Sequence, residues 1–350
     1  MIKKLLLLFV LAVALAAGYI GHILNKDLPV PEQGQVIEIQ KGDSLYGLAY
    51  KWQQQGLLPS ARLFLLQARL LKKQRSIRPG EFLLPSGSNS ADLLTLLAEG
   101  KAISHRVALI EGRTLFEELK KLAAQKKLKQ DIDPLTPAKV AETLSLADNP
   151  EGLIYPDTYV YHAGDTVSGL LRQGASRMQQ VLEEEWQRYL GRIEKGEQEK
   201  LPYENPYQAL VMASIVEKET GQVSERPHIA GVFVRRLQKN MRLETDPTVI
   251  YGLGQSFDGD LKRKHLRDRS NPYNTYRMKG LPPTPIAFAG REAIQAALNP
   301  EDGKTLYFVA KGDGSHYFSE TLREHNNAVN RYQRFKRTKN YRSAPEGTVQ

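Results

Sequence analysis

Residues 5–24, LLLLFVLAVALAAGYIGHIL, run for twenty positions without an Asp, Glu, Lys or Arg. As a helix they would rise about 30 Å, the thickness of the hydrocarbon layer of a bilayer. Lys3 and Lys4 precede the run, so the positive-inside rule leaves the stub 1–4 in the cytoplasm and carries everything beyond Asn25 across the membrane. Ala14, Leu15 and Ala16 also offer a small-x-small site, so cleavage as a signal peptide is the alternative to retention as an anchor. Either way the rest of the chain works outside the cytoplasm, which argues against ATP-driven chemistry and against a nucleic-acid partner.

With 350 residues, 41% of them hydrophobic and 25% charged, the chain has room for the anchor and two or more folded domains. Its net charge of +10 favours an acidic partner. Long-range attraction alone does not choose between lipid headgroups and a carboxylate-rich polymer. There is no cysteine, which excludes disulfides and thiolate metal sites.

Residues 25–35 hold Pro29, Pro31 and Gly34 without apolar periodicity and form a linker. A strand at 36–39, a turn at 41–44 in which Asp43 or Ser44 caps a helix from Leu45, a helix over 60–71 and a strand at 81–84 then follow. Farther on, the text predicts a short helix at 92–99, a strand at 104–110 and a helix capped by Thr114. The lysine-rich stretch 120–129 has helical spacing and fits a solvated helix face. A long amphipathic helix from 167 to about 190 and late strands at 306–310 and 317–318 complete an α+β, helix-rich reading.

The chemistry is concentrated in NPYQALVMASIVEKETG, residues 205–221, a helix expected to close at Gly221. At about 100° per residue, Glu219 falls among Val211, Met212, Ile215 and Val216, whereas Glu217 falls near Leu210 and Ser214. A carboxyl held against apolar side chains is harder to ionise and can stay protonated near neutral pH as a general acid. Pairing of Glu219 with a cation such as Arg226 is the structural alternative. No HExxH or GxSxG occurs, and Gly252-Leu253-Gly254 lacks the third glycine of a dinucleotide fingerprint.

ASIVEKET, RLETDPTVIYGLG from Arg242, NPYNTYRMKGLPPTPI from Asn271 and YFVAKGDGSHYFSETLREHN from Tyr307 together resemble the endolytic murein transglycosylase family, also called YceG-like. GDSLYGLA after the first strand resembles a LysM-like module, either a sugar binder or a packing element. The resemblance implies a transmembrane helix at 5–24, a linker at 25–35, a LysM-like βααβ module at 36–98 and a lytic transglycosylase domain at 99–350. It implies cleavage of the MurNAc-β-1,4-GlcNAc bond of nascent peptidoglycan with 1,6-anhydro-MurNAc ends, ending glycan elongation, with no metal or other cofactor. Peptidoglycan strands, the inner membrane and peptidoglycan synthases are the implied partners.

By comparison with the Glu-Ser pair of goose-type lysozyme and soluble lytic transglycosylases, Glu219-Thr220 is the matching pair and Glu217 the runner-up. Thr220, Thr245, Asp246, Tyr251, Tyr273, Asn274 and Tyr276 are candidates for substrate contact, since Tyr rings can stack on sugars and Asn can reach N-acetyl groups. Asp246 before a proline could equally be a turn or cap, or the second carboxylate of a lysozyme-like hydrolase. A non-catalytic wall-binding scaffold is the alternative from another class.

Overall fold

The computed structural model describes residues 2–74 and 77–335. Helix α1 (Ile2–Asn25) contains the uncharged run and is long and apolar enough to cross a membrane. The chain divides into two compact units.

The first unit runs to Arg106 and takes in Lys126–Lys129 and Val160–Thr166. After α1 come β1 (Gln35–Ile39), α2 (Leu45–Gln54), α3 (Ala61–Leu70), β2 (Gly80–Leu84) and α4 (Ser90–Glu99). The order strand, helix, helix, strand agrees with the sequence reading, and β1 pairs antiparallel with β2, Gln35 opposite Leu84 and Ile39 opposite Gly80. Ser44 and Ser60 cap α2 and α3 by accepting the amides of Gly47 and Leu63, which satisfies donors that a helix start leaves open. Period-two burial puts Ile37 and Ile39 inside while Val36 stays exposed. Those isoleucines meet Trp52, Phe64, Phe82 and Leu93 in one core, with Trp52 edge-on to Phe64 at 6.1 Å.

The strands β3 (Ser104–Ala108) and β4 (Thr158–His162) form a second two-stranded sheet, and between them lie α5 (Leu115–Ala123) and α6 (Pro137–Leu144). Helix α5 begins at Thr114 as expected, but it stops at Ala123, so only part of the lysine run is helical. The amide of Gly164 donates to the Lys127 carbonyl and the amide of Lys129 to the Asp165 carbonyl. Those long-range bonds use backbone groups that a helix would need for itself.

The second unit comprises Val107–Gln125, Gln130–Tyr159 and the chain from Val167. It continues with α7 (Val167–Glu194), α8 (Pro206–Glu219), α9 (Arg226–Gln238), α10 (Asp246–Leu253), α11 (Arg263–Arg267), α12 (Arg291–Leu298), the hairpin of β5 (Tyr307–Ala310) and β6 (His316–Ser319), and α13 (Leu322–Val329). Every residue of α8 from Ala209 to Glu217 is buried. Small residues permit this: Ala209, Ala213 and Ser214 on α8 and Ala293, Ala296 and Ala297 on α12 bring two backbones close. A helix apolar on all sides belongs in the interior of a core.

Helix α9 shows how tight this unit is. A Cβ on Gly231 would lie 2.3 Å from the Glu301 carbonyl oxygen, a backbone atom that also accepts from Arg235. Alanine gains about 1 kcal/mol of helix propensity over glycine, whereas overpacking costs about 1–3 kcal/mol. Steric cost wins, so Gly231→Ala is expected to lower the melting temperature by a few degrees in a thermal unfolding scan; a rise would show that the Glu301 loop yields freely.

Candidate active site

Asn205 starts α8 by accepting the Gln208 amide at 3.0 Å, and Pro206 sets the first turn. The helix ends at Glu219. Thr220 turns extended (φ −145°, ψ 132°), so the chain leaves the helix one residue before Gly221. Buried Thr220 accepts the Gln222 amide at 3.0 Å and so shapes this exit.

Because α8 is enclosed, the side near Leu210 and Ser214 that the helical spacing assigns to Glu217 is as buried as the side of Val211, Met212, Ile215 and Val216 that it assigns to Glu219. By residue surface Glu217 is buried and Glu219 partly buried, while burial acts on both carboxyls. Its Oε1 accepts from Arg226 Nη2 at 2.5 Å and its Oε2 from the Gly290 amide at 3.0 Å. The cation considered as a partner for Glu219 therefore belongs to Glu217. Burial pushes the Glu217 carboxyl up to about 7 against the pull of Arg226, so what sets it apart from Glu219 is its partners.

Glu219 sits instead in the wall of a cleft of about 560 Å³. The Thr245 hydroxyl donates to Glu219 Oε1. Burial pushes the Glu219 carboxyl up to about 7; the Thr245 bond opposes this and the charge of Asp246 reinforces it. Among the described residues no cation lies within ion-pair distance of Glu219. A carboxyl of this kind can give up a proton and take one back near neutrality.

Thr245 is held by its own network. Its amide donates to Thr275 Oγ1 at 3.1 Å, and its carbonyl accepts from Thr248 Oγ1 at 2.8 Å. The residue before it, Glu244, has φ +53°, a left-handed conformation that a non-glycine side chain adopts at some cost. The Glu244 amide donates to the Thr275 carbonyl, and the Glu244 carboxylate accepts from Arg236 Nη1 at 3.2 Å. Buried Arg236 also binds the carbonyls of Arg242, Leu243 and Leu306, and its guanidinium lies over the Tyr307 ring. The strained turn is thus tied from both sides.

Asp246 opens α10 and lines the same cleft. Its Oδ1 accepts from the Tyr276 hydroxyl at 2.7 Å. Burial and the Asp246 charge both raise the Tyr276 phenol, so it remains a donor. Of the sequence candidates, Glu219, Thr245, Asp246 and Tyr276 come together in this cleft.

The others lie elsewhere in the second unit. Tyr251 and Tyr273 meet edge-on at 4.8 Å, and with Thr284 they surround the Asn149 side-chain amide at 3.2–3.3 Å. Fully buried Asn274 ties its loop through the carbonyls of His265 and Asp268. Arg236 and Tyr307 line the cleft without having been singled out in the sequence, and His325 lines it as well. Arg236 looks like any arginine on a helix, and only its contacts with Glu244 and the carbonyls of Arg242, Leu243 and Leu306 distinguish it. No cluster of His, Asp and Glu suited to a metal occurs among the described residues.

The profile of the YceG-like family matches residues 37–331. A protein of Bacillus subtilis named endolytic murein transglycosylase is 31% identical over 71% of this chain and 68% of its own length. One of the same name from Streptococcus pneumoniae is 24% identical over 94% of this chain and 65% of its own. The chain therefore spans about two thirds of the length of these relatives. A crystal structure of a YceG-like protein from Listeria monocytogenes superimposes with a TM-score of 0.53 at 28% identity, covering 85% of this chain and 99% of that one. With the profile extending over most of both units, the chain belongs to the YceG-like family.

Proposed function

We propose that this chain is an endolytic murein transglycosylase whose acid is Glu219. The observation that carries the assignment is a carboxyl in the wall of a cleft, free of any cation partner among the described residues and held by Thr245, with burial raising its pKa. The names of the Bacillus and Streptococcus relatives supply the substrate class.

Protonated Glu219 gives its proton to the glycosidic oxygen between MurNAc and GlcNAc as the bond to C1 breaks. The muramyl C6 hydroxyl then attacks C1, and its proton passes to the Glu219 carboxylate. The products are a 1,6-anhydro-MurNAc end and a free GlcNAc 4-hydroxyl, with no water consumed and the acid regenerated. One carboxyl therefore serves as acid and then base, unlike the carboxylate pair of a hydrolase. Thr245 orients Glu219, and the Asp246–Tyr276 pair offers polar groups to the sugar.

In this reading α1 is a retained inner-membrane anchor with its N-terminus in the cytoplasm, and the two units work on the outer side of that membrane. The βααβ segment acts as a LysM-like module. Cutting within nascent strands would end their elongation beside the synthases that extend them.

Mass spectrometry of products from purified peptidoglycan tests the reaction. Anhydro ends from wild type, lost in Glu219→Gln, are expected. Reducing ends would mean hydrolysis and bring Asp246 forward as a nucleophile, and no cleavage by wild type would favour a scaffold.

Stability separates the two glutamates. Glu217→Gln removes the nearer carboxylate of buried Arg226 and leaves it only Glu111 at 3.9 Å; breaking a buried pair costs about 3–5 kcal/mol, so activity lost there should go with a lower melting temperature. Glu219→Gln should behave oppositely. Its folded pKa is raised from 4.5 to about 7, so the stability tied to its proton is complete below pH 4.5 and lost as pH rises through about 7. The glutamine variant should match wild type at low pH and exceed it by about 1–3 kcal/mol at pH 8. Equal stability across that window would place Glu219 in water.

Thr245→Val removes a bond that favours the ionised carboxyl. The alkaline limb of kcat/KM should then move to higher pH, and an unmoved limb would mean that another group sets it.

A further inference from the structure

The first unit contains a cleft of about 1170 Å³ at one end of its sheet. Its walls carry Lys41, Lys101, Lys126 and Lys129, all exposed and none with a carboxylate partner among the described residues. The neighbouring charges are already engaged. Glu38, also in the cleft wall, lies 3.8 Å from Lys127; Glu99 pairs with Lys73, and Asp165 accepts the His162 amide. Buried Glu81 accepts from Lys127 and from His105, while Arg78 donates to the Gly100 carbonyl at 2.7 Å.

Four unspent ammonium groups around one concavity focus a positive field into it. The cleft exceeds the roughly 300–1,000 Å³ of a small-ligand pocket, so its size suits a stretch of polymer. Lysines are mobile point charges, unlike the fixed fork of arginine. They suit carboxylates that recur without one rigid geometry.

The position of the cleft argues against lipid headgroups as its ligand. Helix α1 enters the module where the Leu28 amide meets the Ser88 carbonyl, at the Gln35 and Leu84 end of the sheet and the start of α4. The cleft lies at the other end, where Ile39 faces Gly80 and α4 finishes at Gly100. A ten-residue helix separates the two by about 15 Å, beyond the Debye length of about 8 Å at physiological salt.

We propose that this cleft holds the stem-peptide carboxylates of peptidoglycan, a second attachment to the polymer besides the cleft of Glu219. The proposal rests on the reading of peptidoglycan as substrate. It gives the lysine run a use that a solvated helix face would not have.

The test is cosedimentation of the full chain, in detergent on ice, with insoluble peptidoglycan, either untreated or with its carboxylates amidated by carbodiimide and ethanolamine. Lys101→Gln/Lys126→Gln/Lys129→Gln should bind untreated polymer on the order of tenfold more weakly than wild type, a step of about 1.4 kcal/mol. The triple Lys→Arg variant, which keeps the charge, should bind as wild type does. Amidation should erase the difference. Equal binding by the Gln variant, or a difference that survives amidation, overturns the proposal, as does competition by phosphatidylglycerol vesicles, which would make the ligand a lipid. Product analysis on strands stripped of stem peptides separates this from the catalytic reading: the Gln variant should cut them as wild type does, and wild type that binds through carboxylates yet cuts nothing would sink only the catalytic reading.

Discussion

Enclosure of α8 is the constraint on which the second unit depends. Its small residues let α12 approach, and its apolar residues fill the space against α7, α9 and α12. A helix so placed has no freedom to rotate or slide, because any shift would open voids or drive side chains into neighbours in a close-packed interior. Its last residue is therefore delivered to one place. That residue is Glu219, and the firmness of the helix is what lets a carboxyl at its end be kept poorly hydrated.

The two glutamates differ in what the fold provides around them. Glu217 has a guanidinium and a backbone amide, a fully hydrogen-bonded arrangement in which a buried charge is tolerable. Glu219 has one hydroxyl and a nearby negative charge. Loss of hydration is uncompensated there, and the proton becomes easy to keep and still possible to give. The pair lies two residues apart on one helix, yet one carboxylate is braced and the other is left reactive.

Much of the local structure was legible because its causes are local. Ser44 and Thr114 cap the helices that follow, and the helices expected from about 60 and 205 start where Ser60 and Asn205 cap them. The period of buried residues along α7, from Val167 through Leu170, Leu171 and Gly174 to Met178, follows from its one-sided packing. The face contrast between Glu219 and Glu217 is missing for the opposite reason, since both sides of α8 are buried and a helical wheel then separates the two poorly. Glu219 was singled out all the same, through the Glu-Thr pair. The links Thr245 to Glu219 and Arg236 to Glu244 join helix ends and loops that no spacing rule connects.

The lysine run shows the same limit from another side. Its spacing permits a helix, but pairing of 127–129 with 164–166 removes those backbone groups from helical use. A segment with equal local claims to two conformations is decided by whichever offers its amides and carbonyls partners, because a buried unpaired backbone group costs more than a few tenths of a kcal/mol of propensity recovers. What results is an irregular strand of cations that presents ammonium groups along one wall of a concavity, where a helix would have distributed them around its circumference. The charge that composition reports as a single number is thereby given a place.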